Sequence, residues 1–139
     1  MAVEQTLILI KPDAVRRRLA AEILGRIEAR GFTVSAGKLL TASRELGETH
    51  YAEHKEKPFY GELVEFITSA PTLALVVEGE GAIATMRKTI GATNPADAEP
   101  GSIRGDLAKS MPDNLVHGSD SPESAEREVA LWFSADELG

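Results

Sequence analysis

Thr6-Leu7-Ile8-Leu9-Ile10, closed by Lys11-Pro12, decides the fold. A short apolar run without polar alternation marks a strand covered on both faces, in the middle of a sheet. Lys11 ends it, and a charge there is either a lysine snorkelling to the surface or one with work at the sheet edge. Beyond Asp13 the period changes. Val15, Leu19, Ile23 and Ile27 recur every four residues, Leu24 widens the stripe and Arg30-Gly31 ends it, which predicts one amphipathic helix over 13–30. Phe32, Val34 and Ala36 then alternate with Thr33, Ser35 and Gly37, a half-buried second strand running on to Leu39-Leu40.

Further along, the polar segment 43–57 reads as helix. Pro58 punctuates it before a second stripe at Phe59, Leu63, Phe66 and Ile67. Residues 72–77 form a third strand, and Ala82, Ile83, Met86 and Ile90 mark a short helix. Periodicity then vanishes from Gly91 to Asn114, a stretch with little apolar content to anchor it, and structureless loops longer than about 12–15 residues are usually functional or disordered. Leu115-Val116-His117 is an edge or terminal strand. Asp120 or Ser121 caps a last helix with Pro122 at its first position and Ala125, Val129, Leu131 and Trp132 inside. Strands alternating with helices give an α/β or α+β class, helices covering a small sheet.

The 139 residues fit one domain, and a chain of this length buries roughly two thirds of its unfolded surface. Its composition, 42% hydrophobic and 27% charged, is that of a folded domain, and no apolar run approaches the ~18 residues of a membrane span. The absence of cysteine excludes disulfides, thiolate metal sites and thiol nucleophiles, leaving three histidines as nitrogen ligands. A net charge of -7 argues against broad binding to nucleic acid or anionic membrane, so any phosphate must be held by a local cluster of cations. The first residues lack the basic and apolar regions of a signal peptide, so a cytoplasmic location is expected.

Two constellations could carry chemistry. His50-Tyr51-Ala52-Glu53-His54 has the H-x-x-E-H spacing of a zinc hydrolase, two imidazoles one helical turn apart, but it sits among the charges of an ordinary solvated helix. Glu78-Gly79-Glu80-Gly81 resembles a phosphate loop only until its carboxylates are counted. The second constellation is dispersed: Lys11 at the strand end, Arg87 within an apolar helix, Arg104 in the long loop, and His117 where a strand turns into a helix and side chains face a cleft.

Asn114-Leu115-Val116-His117-Gly118-Ser119-Asp120-Ser121 resembles the active-site signature of nucleoside diphosphate kinases. The likeness extends along almost the whole chain, through residues 6–15, His50 to His54, Lys57 to Tyr60, Arg87, 91–95, 100–106, Ser124 to Glu128 and Leu131-Trp132-Phe133. It implies a ferredoxin-like sandwich with a four-stranded antiparallel sheet, residues 1–139 forming a single domain. It also implies ping-pong transfer of a γ-phosphate from a nucleoside triphosphate to a diphosphate, whatever the base. By this resemblance His117 is the nucleophile and Glu128 fixes its ring, with Tyr51 and Ser119 beside it. Lys11, Arg87 and Arg104 neutralise phosphate oxygens, and Thr93 donates a hydrogen bond to phosphate. Lys11 and Asn114 reach the ribose, while Phe59 and Met111 sandwich the base. Mg²⁺ comes on the nucleotide phosphates and not on a metal site of the chain. The resemblance further implies a homo-oligomer, hexamer before tetramer, with ATP, ADP, GTP and GDP among its ligands and neither membrane nor specific nucleic acid as a partner. The alternatives are a nucleotide-binding sensor or assembly member of the same fold, and the zinc hydrolase using His50 and His54. Ser102, Leu107 and Pro112-Asp113 depart from the family pattern; the last pair removes a cation and changes the loop before Asn114.

Overall fold

The computed structural model describes residues 3–111 and 113–138. Four strands, β1 (Val3–Ile10), β2 (Thr33–Leu40), β3 (Thr72–Glu80) and β4 (Val116–Gly118), form one antiparallel sheet in the order β2-β3-β1-β4. The apolar run at 6–10 lies where its composition requires, in β1 between two neighbours, and Thr6 to Ile10 are fully buried. Alternate residues of β1 serve opposite faces. Ile8 and Ile10 pack with Ile23, Ile27, Met86, Ile90 and Ile103, whereas Leu7 and Leu9 pack with Ile67, Val129, Trp132 and Phe133. Helices thus cover both sides of the sheet. On the first face lie α1 (Pro12–Arg16), α2 (Ala20–Ala29), α5 (Ala82–Ile90) and α6 (Ile103–Leu107); on the second lie α3 (Arg44–His50), α4 (Tyr60–Thr68) and α7 (Pro122–Trp132).

Three expectations change. The single helix over 13–30 is two, because Arg18 adopts a left-handed φ of 60° and Leu19 N–H bonds back to the Ala14 carbonyl. The apolar stripe survives the break, since Val15, Leu19 and Leu24 still pack on the same core. Helix α3 ends at His50, and Ala52 to His54 form a separate 3-10 turn. Residues 78–80 belong to β3, where a Cβ at Gly79 would collide with the Phe32 ring, so glycine there serves packing.

The segment from Gly91 to Asn114 is tied down better than its composition suggests. It contains a 3-10 turn at Pro95 to Asp97 and the short α6, capped by Ser102, whose Oγ accepts from the Gly105 N–H. Ile103 is fully buried, and Arg104 binds both ends of the segment. Helix α7 starts as its sequence predicts, Ser121 Oγ accepting from the Ser124 N–H with Pro122 in the first turn. Among the described residues, no helix is long and apolar enough to cross a membrane.

Candidate active site

Strand β4 places His117 opposite Leu9 of β1, and α7 brings Glu128 beside it. His117 Nε2 lies 2.8 Å from Glu128 Oε1, and Ser119 Oγ donates to the same oxygen at 2.7 Å. Burial works to raise the Glu128 pKa, but the hydrogen bond and charge of His117, with His50 and Ser119, win and hold it at about 2. An ionised carboxylate only accepts, so Nε2 carries the ring proton and the lone pair is on Nδ1. Ser119 is fully engaged: its Oγ also accepts from the Leu7 N–H at 3.3 Å.

Two buried aromatic residues back His117. Trp132 Nε1 donates to His50 Nδ1 at 3.0 Å, and the His50 ring stands edge to face with His117, centroids 4.7 Å apart. Burial lowers the His50 pKa to about 3, so this imidazole stays neutral. Tyr51 packs against the other side of His50, its phenol pushed up by burial to about 12.

The cations converge from three elements. Lys11 is 6% exposed and does not snorkel; its Nζ donates to Asn114 Oδ1 at 2.6 Å and lies 5.4 Å from the Phe66 ring centroid. Burial lowers its pKa to about 8. Arg104, also buried, donates Nε to the Asn114 carbonyl, Nη1 to that of Gly91 and Nη2 to that of Val116. It therefore knits the long segment to β4 as well as carrying charge, although burial lowers its pKa to about 10. Arg87 Nη1 donates to the Gly118 carbonyl at 3.2 Å, and Asn114 Nδ2 donates to the Thr93 carbonyl at 3.0 Å. Phe59 and Met111 stand outside this network as two half-exposed side chains. Pro112 lies outside the described residues, while Asp113 acts on Lys11 by its charge.

The backbone before His117 is strained. Leu115 has φ 73°, and Val116 N–H closes a γ-turn onto the Asn114 carbonyl at 2.8 Å. Such a conformation in a branched residue costs about 1–3 kcal/mol and persists only where its surroundings over-determine it. The sequence carries no sign of this turn, since leucine is not a residue that favours it. The zinc reading fails on geometry: His50 and His54 lie in different elements, and His50 Nδ1 is committed to Trp132. Among the described residues, the one group of three ligand-type side chains close enough to hold a metal is His50, His117 and Glu128, without His54.

A ferredoxin-like α+β sheet thus carries a carboxylate-held histidine beside buried cations, an arrangement suited to phosphoryl chemistry. The family model "Nucleoside diphosphate kinase" matches residues 4–138, and the chain belongs to that family. It is 66% identical over 130 residues to the nucleoside diphosphate kinase of Rubrobacter xylanophilus, covering 94% of this chain and 98% of that one. To the enzyme of Halalkalibacterium halodurans it is 59% identical, covering 97% and 92%. Among solved structures it superposes on the Aquifex aeolicus nucleoside diphosphate kinase with a TM-score of 0.96 at 42% identity, covering 99% and 100%. The Halobacterium salinarum enzyme in complex with CDP gives 0.95 at 45%, covering 98% and 91%. The activity is that of a nucleoside diphosphate kinase, a phosphotransferase acting on nucleotides, and the family's reaction needs a divalent cation.

Proposed function

We propose that the reaction runs through a phosphohistidine on Nδ1 of His117. The Nδ1 lone pair attacks the γ-phosphorus of a nucleoside triphosphate, the bond to the β,γ-bridging oxygen breaks, and the diphosphate departs. A second diphosphate then takes the phosphoryl group back, its terminal oxygen displacing Nδ1. The observation that carries this reading is the 2.8 Å contact of His117 Nε2 with an ionised Glu128, which leaves Nδ1 as the nucleophilic nitrogen and stabilises the positive charge the ring gains on attack. Lys11, Arg87 and Arg104 neutralise the phosphate oxygens, Thr93 donates to them, and Lys11 and Asn114 hold the ribose hydroxyls. Tyr51 and Ser119 keep the histidine and its carboxylate in place. Phe59 and Met111 take the base between them, as their exposure allows.

The cation is Mg²⁺. The phosphate-binding groups Lys11, Arg87 and Arg104 are themselves cations, and among the described residues the one candidate ligand cluster is His117 with His50 and Glu128, whose carboxylate is taken up by the histidine. This donor set suits an ion held by the nucleotide's own phosphates, where it neutralises charge. Residues 1–139 act as one domain, in the cytoplasm, without specific nucleic acid partners and as a homo-oligomer, a hexamer in preference to a tetramer.

Incubation with γ-labelled ATP tests the intermediate. A phosphoramidate is stable in alkali and labile in acid, so the label follows that profile and is absent from His117→Ala. Label that survives acid places the phosphate on an oxygen and overturns the mechanism.

A further inference from the structure

We propose that Asp13 is a positioning residue for this reaction: its carboxylate, 102 residues away in sequence, holds the γ-turn that presents His117. The inference rests on the phosphohistidine reading above. Asp13 lies in the first turn of α1 and is 4% exposed. Its Oδ2 accepts the Leu115 N–H at 3.0 Å, the amide at the centre of the strained turn. The other polar groups of the turn are held too. The Asn114 carbonyl accepts from Val116 N–H and Arg104 Nε, the Leu115 carbonyl accepts from Lys11 N–H at 2.8 Å, and the Val116 carbonyl accepts from Arg104 Nη2. Among these backbone groups only the Leu115 N–H depends on a side chain from the far end of the sequence. Without Asp13 that buried amide is an orphan, the turn loses a restraint on its centre, and His117 two residues on loses its fixed approach.

The second Asp13 oxygen, Oδ1, is buried with no hydrogen-bond partner among the described residues. Burial raises the Asp13 pKa, and the charge of Lys11 and the Leu115 N–H work against that rise.

Asp13→Ala and Asp13→Asn test this role, with folding checked by circular dichroism and thermal melting. The readouts are the single-turnover rate of label transfer from ATP to His117 and the steady-state KM. In Asp13→Ala the transfer rate falls about 10- to 100-fold, the loss typical of a misplaced reacting group, while KM moves much less. In Asp13→Asn the amide oxygen can still accept the Leu115 N–H, so most of that loss is recovered. Transfer by Asp13→Ala at the wild-type rate overturns the turn-holding role. Asp13→Asn as slow as the alanine variant overturns it as well; if the alanine protein does not fold, Asp13→Asn carries the test, and transfer by it more than about 100-fold below the wild type overturns the role. A wild-type chain that takes no label on His117 refutes the phosphohistidine reading itself, a result distinct from either of these.

Discussion

Glu128→Gln isolates the charge of the carboxylate while keeping its shape. In the wild type, Oε1 receives both His117 Nε2 and Ser119 Oγ, and Arg127 Nη2 lies 3.5 Å from Oε2. Glutamine can still accept from Nε2, so the ring keeps its tautomer. What disappears is the stabilisation of the positive charge that the imidazole acquires as Nδ1 attacks phosphorus. A hydrogen bond to a charged group is worth about 1.5–3 kcal/mol against about 0.5–1.5 for a neutral one, which leaves about 1–2 kcal/mol. The carboxyl gives a comparable scale: it titrates at about 2 in place of 4.5, a net gap of about 3 kcal/mol that its partners hold against the opposing effect of burial. Phosphorylation of Glu128→Gln is therefore expected to slow by about 5- to 30-fold, each factor of ten being about 1.4 kcal/mol. Trp132, the only tryptophan, provides the assay through stopped-flow fluorescence, because its N–H binds the imidazole that abuts His117. A rate within twofold of the wild type would show that the carboxylate does not stabilise the reacting ring. Activity as low as that of His117→Ala would show that Glu128 takes part in the transfer directly, and either result refutes the argument.

Lys11 is charged below about 8 and neutral above it, so phosphorylation by ATP is expected to decline as pH rises through that value, measured as initial rates in a buffer series. Acid should remove the part of folding stability that Glu128 supplies: the contribution is complete above 4.5 and lost as pH falls toward about 2, so thermal melts of Glu128→Gln should show a weaker loss over that window. Phe59 and Met111 can stack but cannot read a base edge, so the phosphoenzyme should pass its label to ADP, GDP, CDP and UDP with rate constants within roughly a hundredfold. A preference of several thousandfold would require a polar group at the base. Light scattering at micromolar concentration should return an oligomer, and Pro95→Ser should weaken that assembly before it alters transfer; a monomer mass defeats the expectation.

The central strand was legible because burial on both faces leaves a composition that a half-exposed strand lacks, and Thr6 to Ile10 show it. The break at Arg18 was not, since a left-handed residue between two helices can leave their shared apolar stripe intact. Lys11, Arg104 and His117 stood out by their places at strand ends and in the long loop, but their roles, and Glu128 altogether, came through the resemblance. Lys11 and Arg104 prove far more buried than surface charges of their type usually are. The contacts of Asp13, His50 and Trp132 were not legible because each is made with a partner far away in the chain, at separations of 102 and 82 residues, where local periodicity is silent.

The short pairing of β1 with β4 joins residues 8–10 to 116–118 and adds one of the central strand's two neighbours. A nascent chain that has emerged only as far as α6 holds Lys11, Arg87 and Arg104 but neither the nucleophile nor the carboxylate. Closing so long a loop is slow compared with forming helices, and β4 and α7 dock only after more than a hundred residues of this domain have been made. Phosphate on His117 would therefore report a closed sheet: in a mixture of folding intermediates, the labelled fraction counts those in which β1 and β4 have met.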